Sequence, residues 1–295
     1  MDIAAVLQAH YGTRTDDITL LREGGSVSYA ISDGTQRCFL KVIRPPFIDT
    51  ALPSLDIQLF LAKNGFPMIS PLPAKSGAYS VFDEAENALF VLFPFVPGGE
   101  PAPEDTAQVG ALVGQLHALM AQYPAPLIAR DRHFFVERYL EILRRKQYRK
   151  ADSFAAHGDM LWERVKNLPR GYCHGDLYCG NLHKTPDGQL YVLDFDSSCH
   201  AFPQHDIALF CNGTDYFNLQ TDGREKTDRC LREFLRGYKQ HRSLTPADIA
   251  SIHDWISLYH FQLQATIIDL HGDDCVDAAF FDRQLDWLIQ WESSR

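Results

Sequence analysis

His174-Gly175-Asp176-Leu177-Tyr178-Cys179-Gly180-Asn181, followed thirteen residues after Asn181 by Asp194-Phe195-Asp196, is the stretch on which the reading of this chain turns. The tripeptide His-Gly-Asp alone is uninformative, because it occurs three times, at His157, His174 and His271. Only the copy at 174 has Asn five residues beyond its Asp; Arg164 and Ala278 stand there in the other two, which read as solvated loop. That copy alone is followed by a short apolar strand ending in an acid, Leu190-Tyr191-Val192-Leu193-Asp194. A short loop and a hairpin return bring Asn181 and Asp194 to one side, with Asp176 just ahead of them. Two such oxygen donors suit a hard divalent cation, and a carboxylate before them suits proton acceptance.

The rest of the composition narrows the field. The chain has 295 residues, 28 Lys+Arg against 38 Asp+Glu and a formal net charge of −10. At about 150 residues per domain this predicts two domains or one large one. With 45% apolar and 22% charged residues it is of the soluble globular class. Net acidity argues against nucleic acid as a partner. The one basic stretch, Arg130 to Lys150 with eight Lys/Arg against three Asp/Glu, reads as a solvated helix face or linker. The longest apolar run, Ala88 to Val96, falls far short of the roughly 20 residues that span a bilayer, so no membrane partner is expected. Seven scattered cysteines without C-x-x-C, and no signal-like start, predict a cytoplasmic enzyme with reduced thiols.

Along the chain, Val27, Tyr29 and Ile31 alternate after Gly24-Gly25-Ser26, and Cys38 to Ile43 follows the turn at Asp33-Gly34 as a paired strand. Leu52 to Asn64 reads as a helix, Tyr79 to Phe82 as a strand and Ala88 to Val96 as a buried strand. Beyond Pro103 the pattern is mainly helical, with Val109, Leu112, Val113, Leu116 and Met120 on one stripe. Ala247 to Leu270 and Asp277 to Trp291 close the chain as helices. The boundary is expected near Pro97 to Pro103.

The spacing H-x-D-x-x-x-x-N, then D-F-x, resembles the catalytic loop and metal-binding segment of the protein-kinase-like fold. With Gly at 175, with Leu116-His117 ending the helix before the loop, and with Asp206 downstream, the stretch from about Leu20 to Ala208 resembles the superfamily of aminoglycoside phosphotransferases, choline kinases and homoserine kinases. That resemblance implies an α+β bilobal fold. Residues 1–97 would form a nucleotide-binding lobe with an antiparallel sheet and one helix, and 98–295 a larger, mainly helical lobe for catalysis and acceptor binding. It implies ATP and Mg²⁺ as cofactors and a small-molecule alcohol as substrate, with no indication of oligomeric state. Asp176 would orient and deprotonate the alcohol, while Asn181 and Asp194 hold the metal, with Asp196 as a further metal or water ligand. Lys41 would meet the α- and β-phosphates, Gly24, Gly25 and Ser26 would cover them, and backbone of the Phe93 to Phe95 stretch would meet adenine. Asp206 is expected to brace the catalytic loop.

Two departures from the family pattern stand out. No Glu lies between Leu52 and Gly65 to pair with Lys41, leaving Asp56, one methylene shorter, as the candidate; and Asp196 replaces the Gly of D-F-G. A zinc site from Cys173, His174, Cys179 and His183 is the alternative in metal chemistry, disfavoured by spacing. A nucleotide-binding pseudokinase is the alternative in function. Ser243 to Asp282 contains seven aspartates and no Lys or Arg. Facing the cleft, they would select a cationic amino-alcohol or aminoglycoside-like acceptor; the alternative acceptor is a neutral or amino-acid alcohol such as homoserine.

Overall fold

The computed structural model describes residues 2–15, 17–24, 26–45, 47–218 and 220–294. Alternation in the first hundred residues becomes one antiparallel sheet of Asp17–Arg22 (β1), Ser26–Ser32 (β2), Arg37–Ile43 (β3), Val81–Asp83 (β4) and Ala88–Pro94 (β5), in the order β1-β2-β3-β5-β4. Register sets Lys41 between Ser28 and Val91. Period two sends Leu40 and Val42 to one face, where they pack with Ile31, Phe90 and Leu92 and with Ile3 and Val6 of the short helix α1 (Ile3–Val6). Ile43 points the other way, joining Leu89 and Val91 beneath Ala51 and Leu55 of α2 (Ile48–Lys63). Lys41 shares that second face by the same alternation. A strand covered on both sides carries apolar residues throughout, and this is why Ala88 to Leu92 shows no alternation. Helix α2 starts four residues before the expected Leu52 and tolerates Pro53 within it.

This first unit comprises Met1–Pro101 and a second segment, Gly180–Ser197, which returns from beyond the expected division at 97/98. The returning segment is a hairpin of β7 (Leu182–Lys184) and β8 (Leu190–Val192). It is fastened by reciprocal backbone bonds, Gly99 N–H to the Lys184 carbonyl at 3.1 Å and Lys184 N–H to the Gly99 carbonyl at 2.7 Å. A side chain on Gly98 would collide here, its Cβ falling 2.2 Å from the Lys184 oxygen.

The second unit, Ala102–Cys179 with Ser198–Arg295, is mainly helical. It contains α3 (Thr106–Met120), α4 (Arg138–Arg145), α5 (Ala151–Val165), the paired strands β6 (Gly171–Cys173) and β9 (Cys199–Ala201), α6 (Pro203–Cys211), α7 (Gly223–Tyr238), α8 (Pro246–Ala250), α9 (Ile252–His271) and α10 (Ala278–Ser293). The stripe on α3 is buried as expected. Helices α3 and α7 approach so closely that a Cβ on Gly237 would lie 1.8 Å from the Ala107 oxygen, and one on Gly110 2.0 Å from the Phe234 oxygen. The expected helix Ala247 to Leu270 is instead two, because Thr245 and Asp248 cap a separate short helix that ends at Ser251. The His157 copy of His-Gly-Asp is not loop but lies inside α5, where Gly158 is buried against Val136.

Candidate active site

Strand β6 ends at Cys173 and delivers the loop His174-Gly175-Asp176, with Gly175 at φ 84°. A left-handed turn of this kind is one that glycine adopts without strain. The loop hangs on Asp206, in the first turn of α6 and fully buried. Its carboxylate accepts the backbone N–H of His174 at 2.6 Å and of Gly175 at 2.9 Å. A carboxylate can only accept, so the 2.9 Å contact to His117 Nε2 makes that nitrogen the donor. His117 Nδ1 makes a second hydrogen bond, with the Tyr238 hydroxyl, also at 2.9 Å. Burial by itself would raise the Asp206 pKa, but the His117 bond and the neighbouring imidazoles hold it below the usual carboxylate value. Sequence singled out His117 and Asp206 separately; Tyr238, which completes the chain of bonds, carries no sequence signal.

Asp176 itself is part-buried, with its N–H 3.4 Å from His174 Nδ1. From α9, Tyr259 lies within its field: burial first, then the Asp176 charge and Tyr178, push that phenol's pKa upward.

In the first unit Lys41 reaches across from β3 to two acids. Its Nζ stands 2.7 Å from Asp196 Oδ2 and 2.9 Å from Asp194 Oδ1. Burial would lower the Lys41 pKa, yet the charges of Asp196 and then Asp194 outweigh it, and the ammonium is held above its ordinary value. Asp194 takes φ 58°, a left-handed conformation uncommon outside glycine and associated with functional sites. Asn181 is buried, and its carbonyl accepts the N–H of Leu193 at 2.9 Å, which brings it beside Asp194. Asn181, Asp194 and Asp196 offer oxygen donors only, and two of them already converge on a cation, so the set fits a divalent metal carrying phosphate oxygens.

Other expected members fare differently. Asp56 is a correction: it lies on the exposed side of α2 and, among the described residues, pairs with no cation. Ser26 opens β2 opposite Ile43 and Gly24 is exposed before it, while Gly25 lies outside the described residues. Phe93 packs its ring against Phe39. The Phe95 N–H is committed to the Arg37 carbonyl at 3.1 Å. His183, a candidate zinc ligand in the sequence, instead has its Nε2 3.1 Å from the Val96 carbonyl and so fixes the strand exit next to Phe95.

The acidic stretch near the C-terminus is largely spoken for. Asp269 pairs with Arg138, Asp273 with Arg145, and Asp282 with Lys150, Arg149 and the Tyr148 hydroxyl. Asp254 pairs with Arg164, Asp248 caps α8 and accepts from Gln204, and Asp277 caps α10. Three of the seven aspartates thus pair with the basic run Arg130 to Lys150, a fourth pairs with Arg164 and two cap helices, so most of these acids already have partners within the protein and are not free to select a cationic acceptor. Among the described residues no group of three or more His, Cys, Asp and Glu gathers as a metal site, and none of the helices is long and apolar enough to cross a membrane.

These elements define a protein-kinase-like small-molecule kinase, a phosphotransferase acting on hydroxyl groups. Residues 17–250 match the phosphotransferase enzyme family, and the chain belongs to it. It is 23% identical to the amicoumacin kinase of Bacillus subtilis (strain 168), over 88% of this chain and 82% of that one. A homoserine kinase of Caulobacter sp. (strain K31) is 26% identical over 66% of this chain and 62% of its own length. Among solved structures the amicoumacin kinase hAmiN, in complex with AMP-PNP, Ca²⁺ and Ami, aligns with TM-score 0.76 and 20% identity, covering 100% of this chain and 94% of that one. A microcompartment-associated aminopropanol kinase aligns with TM-score 0.77 and 19% identity, covering 98% and 94%.

Proposed function

We propose that the protein transfers the γ-phosphoryl group of ATP to the hydroxyl of a small molecule that also carries an amine. The observation that carries the phosphotransfer is the joint presence of Asp176, Lys41, Asn181 and Asp194. Asp176 stands on a loop held by Asp206, and Lys41, Asn181 and Asp194 are gathered in the first unit. Drift toward a pseudokinase has no reason to keep both. Asp176 orients the acceptor hydroxyl and takes its proton as the new P–O bond forms and ADP leaves. Lys41 pairs with the α- and β-phosphates, Gly24 and Ser26 lie against them, and Phe93 and the Phe95 carbonyl lie at the adenine. Asn181 and Asp194 would hold Mg²⁺, which neutralises charge on the phosphate oxygens. Support for the amine comes from the relatives: aminopropanol and homoserine each combine an amine with a hydroxyl, and Ca²⁺ with a nucleotide analogue accompanies the amicoumacin kinase.

The test is ADP release from Mg·ATP across a panel of amino-alcohols and their amine-free counterparts. Turnover is expected for amino-alcohols. Asp176→Asn should lower it by about 10²- to 10⁴-fold while Mg·ADP binding stays within a few-fold. An active Asp176→Asn variant refutes the role of Asp176, and exclusive use of amine-free alcohols refutes the acceptor class.

A further inference from the structure

Two departures from the family pattern, no Glu on α2 and an acid at position 196, meet at a single atom. Lys41 Nζ is 2.7 Å from Asp196 Oδ2, closer than its 2.9 Å contact to Asp194 Oδ1. The two acids on α2, Asp49 in its first turn and Asp56, are both exposed, and neither pairs with a cation among the described residues. The three-residue turn Phe195–Ser197 packs directly on α2 and buries Phe195, so Asp196 is carried on a fixed support rather than on a free loop. We propose that Asp196 is the positioning residue for Lys41 in this chain, supplying from the metal-binding turn the anchor that would otherwise come from α2. The inference rests on the phosphotransfer reading above and reassigns Asp196 from metal ligand to anchor.

Physical reasoning favours this division of labour. A half-buried ammonium needs an anionic partner that persists after nucleotide arrives. Asp194 cannot be that partner, since its carboxylate is wanted by the cation on the phosphates. Asp196, with a side chain 26% exposed against 44% for Asp194, is the more enclosed of the two and makes the shorter contact to Lys41. Anchor and metal ligand sit two positions apart, Asp194 immediately before the turn that carries Asp196, so Lys41 and the cation are positioned by the same short stretch. In this chain a shift of that turn moves both at once.

The experiment is a double-mutant cycle on equilibrium binding of Mg·ADP, with Asp196→Asn measured in the wild-type and Lys41→Met backgrounds. An anchor acts only through Lys41. Asp196→Asn should therefore weaken Mg·ADP by about tenfold in the wild-type background and by less than about twofold when Lys41 is absent. An equal loss in both backgrounds makes Asp196 a metal ligand and overturns the proposal, as does no loss in either. The same cycle on denaturant unfolding of nucleotide-free protein should give non-additive shifts, the double variant being no worse than the poorer single one. Additive shifts also overturn it. Should wild-type protein fail to bind Mg·ADP at all, the phosphotransfer reading fails, while the nucleotide-free cycle still judges the Lys41–Asp196 pair.

Discussion

Asp206 is where stability and catalysis are most tightly joined, and its replacement has a calculable cost. The carboxylate receives three donors, the N–H groups of His174 and Gly175 and the His117 imidazole, with no exposure to water. Each donor left buried without an acceptor costs roughly 1–3 kcal/mol. Asp206→Ala, orphaning all three, thus costs on the order of 3–9 kcal/mol, comparable to the roughly 5–15 kcal/mol that holds a typical domain folded. The informative variant is Asp206→Asn, which keeps one acceptor oxygen, turns an NH₂ toward a donor and should cost about 2–4 kcal/mol in urea unfolding at pH 7. Because the folded carboxyl titrates below its ordinary value of 3.8, its contribution is complete above that value and disappears as pH falls through the lower folded one. The gap between wild type and Asp206→Asn is therefore widest near neutrality and narrows in acid. Turnover should fall more than tenfold, since the peptide carrying Asp176 loses its support, while Mg·ADP binding changes little. An Asp206→Asn protein with wild-type midpoint, unchanged acid dependence and full turnover would refute this account.

Two further outcomes are expected. Gly237→Ala places a methyl 1.8 Å from the Ala107 oxygen, so α3 and α7 must separate; a loss of at least about 2 kcal/mol in the urea midpoint is expected, and an unchanged midpoint argues against the close helix contact. His183→Ala removes the bond to the Val96 carbonyl and should raise the KM for ATP several-fold with kcat nearly preserved; a change in kcat alone would place His183 in the chemistry instead.

Legibility differed from residue to residue. Strand β3 and the stripe of α3 were visible because burial on one side imposes a period, two for a strand and 3.6 for a helix. Helix α9 was visible in type but not in its start, because a Thr-Asp cap at α8 competes with an unbroken apolar pattern. Asp176, Asn181 and Asp194 stood out as candidates because one loop and one hairpin fix their spacing, and Asp206 because it follows at a short interval. The role of His183 was hidden: the sequence marked it only as a candidate zinc ligand, a histidine on a short strand gives no periodic signal, and its partner lies 87 residues away. Tyr238, 121 residues from His117, was hidden for the same reason.

By itself the sequence determined the fold class, the kinase-like motif and the acids that could bear the chemistry, since these depend on local spacing and on side-chain type. Only the tertiary structure decided which charges remain available. It gave Lys41 to Asp196 rather than Asp56, and it joined the basic run Arg130 to Lys150 to the acidic stretch that had seemed free to choose a substrate. Charge pairing acts over a few ångströms and takes no account of distance along the chain, so partners more than a hundred residues apart are set by packing alone.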